Sequence, residues 1–384
     1  MRENKLIGWM KNGDPEKVPV MFGGHYEQAS SYFGIPRREV NPEIVERAMG
    51  EMGTWCFADV GSPMLFEAIE FCHELSQKTH EEKSGDGTTR RYAEIETPGG
   101  TLKQIWEAPE GLPGTWVEHY VKNEKELEIL RKFVILAYET ITTNPHVRNS
   151  VVRRIKENMA KWSGVHPYAL WVFAGPVELT CAKYMSQEMA IYTLMDDEKL
   201  VAELSELQWE TTKVWLECGL DAGVEIYGYA VNGLEIYSPA MYEKFFIPSV
   251  RRINNWIDAH GKMSWLHTCG KMHALIETGV YDILKPAILE SFSHPPLGDV
   301  TDLKKARCRI GDKIVTRGGV NVNFFYGDST DSVRMRVKEV MESTSGFRHM
   351  VGDTNSSFPP YPKDNIMALM DAVSETKRMF APDS

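Results

Sequence analysis

Short apolar runs alternate along the chain with longer segments that have a helical pattern of apolar and polar residues. Polar or glycine-rich residues follow the runs, as GHYEQ follows VPVMFG and HTCG follows MSWL. The eight runs cover residues 18–23, 54–60, 169–174, 224–230, 263–266, 287–289, 314–316 and 349–352. Residues 196–218 and 239–260 are two of the clearest helical patterns between them. Buried strands that alternate with helices indicate a parallel sheet, and eight such units predict an α/β fold, a (β/α)8 TIM barrel that forms a single domain over residues 1–384.

One segment breaks this alternation. Residues 79–106 contain two turn signals, GDG and PGG, and the second lies within the run RRYAEIETPGGTLKQIW. This pattern predicts an antiparallel hairpin inserted after the second strand. The next segment, residues 116–158, has a helical pattern. A hairpin of this kind covers a barrel mouth, forms a surface for a partner, or is simple decoration, and the sequence leaves these alternatives open.

Composition and charge limit the classes of function. Of the 384 residues, 42% are hydrophobic and 25% are charged, as in ordinary globular proteins. The chain has 43 basic and 54 acidic residues, and its net charge of −11 argues against a nucleic-acid partner. No run of about 18 apolar residues occurs, so we expect no membrane span. The chain starts without the apolar core of a signal peptide and its six cysteines are scattered, so we expect a reduced, cytoplasmic compartment.

The strongest chemical signal is His267-Thr268-Cys269-Gly270, which directly follows the fifth apolar run. Residues two apart point to the same side of an extended chain, so an imidazole nitrogen and a thiolate can reach one ion together. Zinc suits this mixed pair of donors. The motif also falls at the carboxyl end of a predicted strand, where TIM barrels keep their active sites. His267 and Cys269 are therefore our candidate zinc ligands.

Carboxylates at the ends of later strands complete the candidate site. Glu290 follows the next apolar run, and Asp353 follows the last one. A catalytic zinc needs about three protein ligands and an open position. His267, Cys269 and Glu290 supply three, and Asp353 is a candidate fourth ligand or a group that supports the ligands. His273 and His294 are alternative ligands.

Longer stretches around these residues resemble the uroporphyrinogen decarboxylase superfamily. They lie in the run from about Tyr227 to Pro360 and just beyond it, and they are NGLEIYSPAMYEKFFIPSVRRI, WLHTCGKMHALIETGVYDIL, ESFSHPPLGD with DKIVTRGGVN after it, and a final PPYPKDNIMALM that starts at Pro359. The amino-terminal half, with VPVMFGG and ETPGGTL, resembles the superfamily more loosely. The resemblance implies a TIM barrel, and it implies either a metal-free decarboxylase or a zinc methyltransferase. The zinc branches use His-x-Cys and a later Cys, and the methionine synthases among them add a Glu, which Glu290 matches here.

The later cysteine of those branches is missing from this chain. Its expected place holds VGDTNSS, where Asp353 stands, and Cys308 lies too early in the sequence. Replacing a thiolate by a carboxylate makes a metal site harder, and a zinc ion in it is a better Lewis acid for oxygen.

The segment after the first strand separates the two branches. The decarboxylases carry an arginine-rich segment there that holds substrate carboxylates, whereas this chain has GGHYEQ at residues 23–28, with no arginine. Asp59 stands where that branch keeps its pyrrole-binding aspartate, and we interpret it as a polar residue of the barrel mouth. Decarboxylation is the lesser hypothesis.

Two directions of methyl transfer follow from the resemblance. One gives methyl from a methylated corrinoid to a thiol, and the other takes methyl from an O-methyl donor such as an aryl ether. The missing thiolate favours the second, because the leaving oxygen needs charge stabilisation. No D-x-H-x-x-G motif occurs, so cobalamin would come on a separate corrinoid-binding protein. A homodimer is one candidate assembly.

Candidate residues for the small-molecule donor or acceptor surround the predicted mouth. The aromatic candidates are Tyr227, Tyr229 and Trp265, and the polar ones are Asp59, Asn232 and Asn321. His25 is a further candidate, together with Glu290 and Asp353, for a catalytic role. A hypothesis from another class is a non-catalytic barrel that carries a tetrapyrrole or corrinoid.

Overall fold

The computed structural model describes residues 4–110, 114–163, 166–173, 184–231, 237–268, 270–327, 329–354, 361–376 and 378–382. The strands within these ranges are β1 Ala58–Asp59, β2 Ser76–Lys83, β3 Thr89–Thr97, β4 Gly100–Ala108, β5 Thr115–Glu118, β6 Tyr168–Trp171, β7 Ile226–Ala230, β8 Met263–His267, β9 Ile288–Ser291, β10 Val315–Val320 and β11 His349–Asp353. Seven of the described strands form one parallel sheet in the order β1-β6-β7-β8-β9-β10-β11. The predicted α/β architecture with a parallel sheet is therefore confirmed.

The first apolar run connects the two edges of this sheet. The Met21 N–H donates to the Val351 carbonyl of β11 at 2.9 Å, and the Trp55 N–H donates to the Val20 carbonyl at 2.8 Å. Residues 18–22 therefore lie between β11 and the chain that leads into β1. The sheet is barrel-like, with the first run pairing through isolated bridges rather than through a continuous ladder.

Helices alternate with the strands. They are α1 Lys5–Asn12, α2 His25–Phe33, α3 Pro42–Met52, α4 Glu124–Thr143, α5 Pro145–Met159, α6 Gln187–Asp196, α7 Glu198–Ala222, α8 Pro239–Met241, α9 Ile247–Ala259, α10 His273–Glu277, α11 Val280–Leu284, α12 Leu303–Ile310, α13 Asn323–Tyr326, α14 Thr330–Ser343 and α15 Lys363–Glu375. Two short 3-10 helices cover Arg37–Glu39 and Leu65–Phe71. None of the helices in the described ranges is long and apolar enough to cross a bilayer.

The two helical patterns predicted from sequence differ in how they form. The first is one helix, α7, which begins after Asp197, whose side chain accepts the Leu200 N–H, and ends before Gly223 in the left-handed region. The second is divided, because a π-helix over Tyr242–Phe246 separates α8 from α9. Pro248 follows this π turn and has no N–H to donate, so regular helical bonding cannot pass through this point.

The inserted segment is larger than the predicted hairpin of residues 79–106. It is an antiparallel sheet in the order β2-β3-β4-β5, with Trp106 of β4 paired to Trp116 of β5. The prediction of helix from residue 116 is therefore wrong at its start, because a four-residue strand is too short to show a period of two. Ile95 and Leu102 are fully buried and anchor this sheet to the barrel.

The apolar side chains form two separate clusters. The larger cluster lies between the parallel strands and the helices around them. The smaller one fills the inside of the parallel sheet, and it contains Phe57, Trp265, Ile288 and Val315 together with residues of helix α1. The interior of such a barrel is a packed core rather than a pore. Polar side chains at the carboxyl ends of the strands therefore pack against apolar side chains below them.

Candidate functional site

A layer of polar side chains lies on this apolar interior. Each member stands two positions beyond a residue of the interior cluster: Asp59 after Phe57, His267 after Trp265, Glu290 after Ile288, and Arg317 after Val315. Side chains two apart on a strand point to the same face, so these four point into the barrel as their apolar neighbours do. They lie towards the carboxyl ends of the strands, where active sites of such barrels form.

His267 and Glu290 are paired across neighbouring strands. They are partners in the parallel register of β8 and β9, and Nδ1 of His267 lies 2.5 Å from Oε1 of Glu290. An ionised carboxylate only accepts hydrogen bonds, so Nδ1 is the donor and Nε2 is the ring atom with a lone pair for a metal. The His267 side chain is 20% exposed and that of Glu290 is 3% exposed, so the imidazole lies on the solvent side of the pair.

Arg317 is the member of the layer that we did not predict. Its Nη1 donates to Oε2 of Glu290. Its Nη2 donates to Oδ1 of Asp353 at 2.7 Å, and its Nε donates to the Met21 carbonyl at 3.1 Å. The sequence contained one signal, a charged residue within the apolar stretch IVTRGGV, but it named no partner for that charge.

Asp353 lies at the end of β11, and its described contacts are with Arg317 and with the loop after the first apolar run. The Gly23 N–H donates to its Oδ1 at 2.5 Å. The Asp353 side chain is fully buried. The structure thus brings this candidate ligand to Arg317, which lies between it and Glu290.

Electrostatics distinguish the two carboxylates that share Arg317. Burial raises the pKa of Glu290, but the charge of Arg317 and the hydrogen bond from His267 outweigh burial and hold the pKa at about 2. Burial also raises the pKa of Asp353, and Arg317 with the Gly23 N–H offsets only part of that rise. One guanidinium therefore serves two buried carboxylates, and Glu290 is the one held firmly in the ionised form.

Within what the structure describes, the His267 imidazole suits zinc, because Nδ1 is held by Glu290 and Nε2 carries the lone pair. Cys269 lies outside the described residues, and within the described ranges no three His, Cys, Asp or Glu side chains are grouped to hold a metal. Oε1 of Glu290 lies 2.5 Å from Nδ1 of His267, whereas Nε2 points to another side of the ring, so in this arrangement Glu290 orients His267 and does not reach an ion on Nε2. Cys269, two residues after His267 in the sequence, stays a predicted ligand.

The floor beneath His267 is aromatic. The indole of Trp265 contacts Phe57 and Trp171, each with ring centroids 4.7 Å apart, and Trp171 meets the His267 ring edge-on at 6.4 Å. Gly228 makes room for this stack, because a Cβ there would lie 3.0 Å from the Trp171 ring. The predicted position of Trp265 at the mouth is thus close to the observed one, one layer below His267.

Tyr227 and Tyr229 lie on the opposite face of β7. Both are fully buried, and their hydroxyls bond to the helices outside the sheet, Tyr227 to the Leu216 carbonyl at 3.0 Å and Tyr229 to the side chain of Asn254. The expectation that they line the mouth is corrected by this placement. The sequence did not show which side of the strand faces inward, because both sides of β7 are apolar.

The polar candidates have different surroundings. Asp59 is exposed, its Oδ1 accepts the Gly61 N–H at 2.9 Å, and the surrounding protein raises the pKa of its carboxyl. Asn321 is buried and ties down a loop by donating to the His294 carbonyl at 2.7 Å and accepting the His294 N–H at 3.1 Å. Asn232 lies outside the described residues.

His25 is the first residue of α2 and packs against Tyr26 and Trp162. Its Nε2 is buried and has no hydrogen-bond partner among the described residues. Burial lowers the pKa of His25 to about 3, so its imidazole is neutral at physiological pH. His273 and His294, the alternative ligands, lie on α10 and in the loop after β9, where the His294 Nδ1 is 2.8 Å from the Pro295 carbonyl.

Comparison with known proteins decides the family. Residues 167–376, more than half of the chain, match the family model described as uroporphyrinogen decarboxylase (URO-D). The chain belongs to the uroporphyrinogen decarboxylase family. The family membership predicted from the sequence is therefore confirmed, over a longer range than the motifs at residues 227–360 indicated.

One solved structure supports the fold. A methyltransferase from Methanosarcina mazei is 16% identical, with 97% of this chain and 98% of that chain covered and a TM-score of 0.61. A putative vitamin-B12 independent methionine synthase from Listeria monocytogenes is 11% identical over 95% of this chain and 96% of that chain, with a TM-score of 0.40. No curated protein matches the chain. At these identities the first similarity shows a shared fold alone.

In this member of the family, the arginine of the polar layer is already paired. Arg317 contacts Glu290 and Asp353 and is 2% exposed. Bonds to Met21, Glu290 and Asp353 occupy most of the donors of this buried guanidinium, so few are left to bind the carboxylates of an incoming substrate. Together with the absence of arginine from residues 23–28, this argues against the decarboxylase chemistry that names the family.

Proposed function

We propose that this protein is a zinc-dependent methyltransferase that takes a methyl group from an O-methyl compound, favoured as a methoxylated aromatic, and passes it to a corrinoid carried on a separate protein. The observation that carries the proposal is the His267 imidazole, held through Nδ1 by Glu290 at the barrel mouth, with Cys269 two residues further on. The family and the overall similarity to a methyltransferase fold support it.

The zinc ion would be held by Nε2 of His267 and by Cys269, while Glu290, the third ligand expected from the sequence, would orient His267 from the other side of the ring. When bound, it would supply a Lewis acid that stabilises charge on the oxygen from which the methyl group leaves. Related zinc branches have a second thiolate where this chain has Asp353, and here that position is occupied by an ion pair with Arg317. A site with one sulfur is harder and suits an oxygen ligand better than a site with two.

The chain's own side chains have three tasks in this proposal. Glu290 fixes the tautomer and orientation of His267 through Nδ1. Trp171 and Trp265 offer a flat apolar floor below His267, on which an aromatic ring can pack. Asp59 is the exposed polar group of the layer and is our candidate for orienting the donor. In the reaction the oxygen–methyl bond breaks and its electron pair stays on oxygen, while the reduced corrinoid provides the pair for the new bond to the methyl carbon.

Metal analysis and a methyl-transfer assay test the proposal together. We expect about one zinc ion per wild-type chain and its loss in His267→Ala and Cys269→Ser. His146→Ala and Cys308→Ser are the matched controls, because both side chains are exposed and lie outside the polar layer. With reduced cobalamin we expect demethylation of methoxylated aromatics within a panel that also contains methylated amines and thiols.

Three results would argue against this function. Full zinc content in His267→Ala would remove the metal site. Methylation of free thiols by methylcobalamin, with no turnover of methoxyl compounds, would assign the reverse direction of transfer. A metal-free wild type that binds corrinoid without turnover would favour a carrier.

A further inference from the structure

The guanidinium of Arg317 connects four segments inside the barrel. From β10 it bonds to Glu290 on β9, to Asp353 on β11 and to the Met21 carbonyl of the first apolar run. A second bond from Nη2 reaches the Asp353 carbonyl at 3.2 Å. Through Glu290 the network extends to His267 on β8. Arg317 is thus the branching point between the candidate ligands and the far wall of the mouth.

Room for this side chain is built into the loop above it. A Cβ on Gly23 would lie 2.6 Å from Nη2 of Arg317, so only glycine fits there without displacing the guanidinium. The same Gly23 donates its N–H to Asp353. The backbone around Arg317 is therefore fitted to one position of its guanidinium.

The charge in the network is unbalanced. One cation, Arg317, faces two carboxylates, Glu290 and Asp353, and all three side chains are at least nine-tenths buried. Burying such a group is costly, and an apolar replacement of similar volume is often as stable or more stable. A purely structural role is therefore a weak explanation for charges at this place. When Asp353 is ionised the network has one negative charge in excess, which a cation bound at His267 would compensate.

We propose that Arg317 is a positioning residue for the metal site. It holds Oε2 of Glu290 and thereby directs Oε1 towards His267, which fixes Nδ1 of the imidazole as the protonated atom and leaves Nε2 for the ion. Asp353 and the Met21 carbonyl hold the guanidinium in this orientation. The role in zinc binding rests on the proposed function, whereas the effect on the His267 tautomer does not require a metal.

Zinc affinity is the first test. Arg317→Gln is expected to weaken zinc binding by about 10- to 100-fold in competition with a chromophoric chelator, as for other groups that orient metal ligands. Arg317→Lys keeps the charge but lacks the planar fork, so we expect an intermediate loss. Cobalt in place of zinc should show a changed visible absorption spectrum in both variants, because the spectrum reports on ligand geometry.

Arg336 provides the matched control. It bonds to the same strand from outside the barrel, with Nη2 donating to the Gly319 carbonyl at 2.9 Å, and it does not contact the polar layer. Arg336→Gln removes an arginine of helix α14 that bonds to β10, and zinc affinity and the cobalt spectrum should stay those of the wild type. Equal losses in Arg317→Gln and Arg336→Gln would mean that Arg317 only supports the strand.

A charge-matched double variant keeps the test decisive if Arg317→Gln alone fails to fold. Arg317→Gln leaves two carboxylates without their cation, whereas Arg317→Gln combined with Asp353→Asn has the formal charge of the wild-type network. We expect this double variant to fold and still bind zinc about 10- to 100-fold more weakly. Wild-type affinity in the double variant would show that net charge, and not the orientation of Glu290, is what matters, and would overturn the proposal.

A measurement on the metal-free protein separates this inference from the proposed function. Nitrogen-15 NMR of the His267 ring should show a proton on Nδ1 in the wild type and a mixture of tautomers in Arg317→Gln. This result with no zinc binding and no methyl transfer would overturn the proposed function and leave the positioning role standing. An unchanged Nδ1 tautomer in the variant would overturn the positioning role even in an active zinc enzyme.

Discussion

Nδ1 of His267 lies 2.5 Å from Oε1 of Glu290, and the two residues are register partners on adjacent parallel strands. Their separation of 23 positions in sequence is bridged by the helical segment between β8 and β9, which returns the chain to the same end of the sheet. The pair is the centre from which the other polar groups of the mouth are arranged, and the following predictions test the parts around it.

The first prediction concerns Glu290 itself. Glu290→Gln keeps the shape of the side chain but removes its charge, so the amide is a weaker acceptor for His267 and a weaker partner for Arg317. We expect zinc affinity and the rate of methyl transfer each to fall by about 10- to 100-fold. Chelator competition and a steady-state assay measure these two quantities.

Glu277→Gln is the control for this substitution. Glu277 ends helix α10 and forms an ion pair with Lys305 at 3.0 Å near the surface. Surface pairs contribute about 0–1 kcal/mol to stability, so both the metal site and the fold should be unaffected. Zinc affinity that is the same in both glutamine variants would contradict a role for Glu290.

The second prediction contrasts two glycines. In Gly23→Ala the new methyl group would lie 2.6 Å from Nη2 of Arg317, which is held by Glu290 and Asp353 and cannot move without breaking those bonds. We expect the free energy of unfolding to fall by about 1–3 kcal/mol and methyl transfer to slow. Chemical denaturation and the activity assay provide the measurements.

Gly50→Ala should have the opposite sign. Gly50 lies in helix α3, and a Cβ there would meet nothing within 4 Å. Alanine is a better helix former, so the free energy of unfolding should rise by about 0.5–1 kcal/mol with no change in activity. If both alanine variants changed stability in the same direction, the argument from local space would fail.

The third prediction is a dependence of stability on pH. Burial, together with the nearby charges of Arg307 and Arg317, lowers the pKa of His349 to about 3, from 6.5. The unfolded chain therefore takes up a proton below about pH 6.5 that the folded chain does not, and stability falls as the pH falls. The contribution of this one group is up to about 1.4 kcal/mol per pH unit between roughly pH 6 and pH 4.

Replacing His349 tests this contribution. His349→Gln should lower stability at pH 7, because the Thr316 hydroxyl and the Gly318 carbonyl lose their partner, but it should also reduce the slope of stability against pH. Urea unfolding between pH 4 and pH 7 measures both. As a control, His146→Gln replaces an exposed histidine and should have the same dependence of stability on pH as the wild type. The same slope in His349→Gln would contradict a contribution of His349.

The fourth prediction separates a structural role from a binding role for Asn321. Its side chain bonds to both backbone groups of His294, and Thr354 donates to its Oδ1 at 3.1 Å. Asn321→Ala leaves buried partners unsatisfied, so the free energy of unfolding should fall by about 2 kcal/mol.

The control is Asn149→Ala, at an exposed position, and its free energy of unfolding should stay within about 0.5 kcal/mol of the wild type. A large rise in KM without loss of stability in Asn321→Ala would instead indicate direct contact with the substrate.

Much of the site could be predicted from where the strands end. The runs before HTCG and ESFSHPP placed His267 and Glu290 at one end of a parallel sheet, and β8 and β9 confirm that placement. The roles of these residues in metal binding and catalysis, the corrinoid partner and the substrate stay predictions. The hairpin was predicted too small, because the short strand β5 carries no periodic pattern of its own.

The sequence by itself determined the order of strands and helices, the family, and which polar residues follow which strand, because these depend on local patterns of apolar and polar positions. Only the tertiary structure decided that Arg317 is the shared partner of Glu290 and Asp353, and that Tyr227 and Tyr229 face the helices. The physical reason is that pairing inside a barrel depends on the register between strands far apart in sequence. Apolar residues on both faces of a strand leave no local sign of which face points inward.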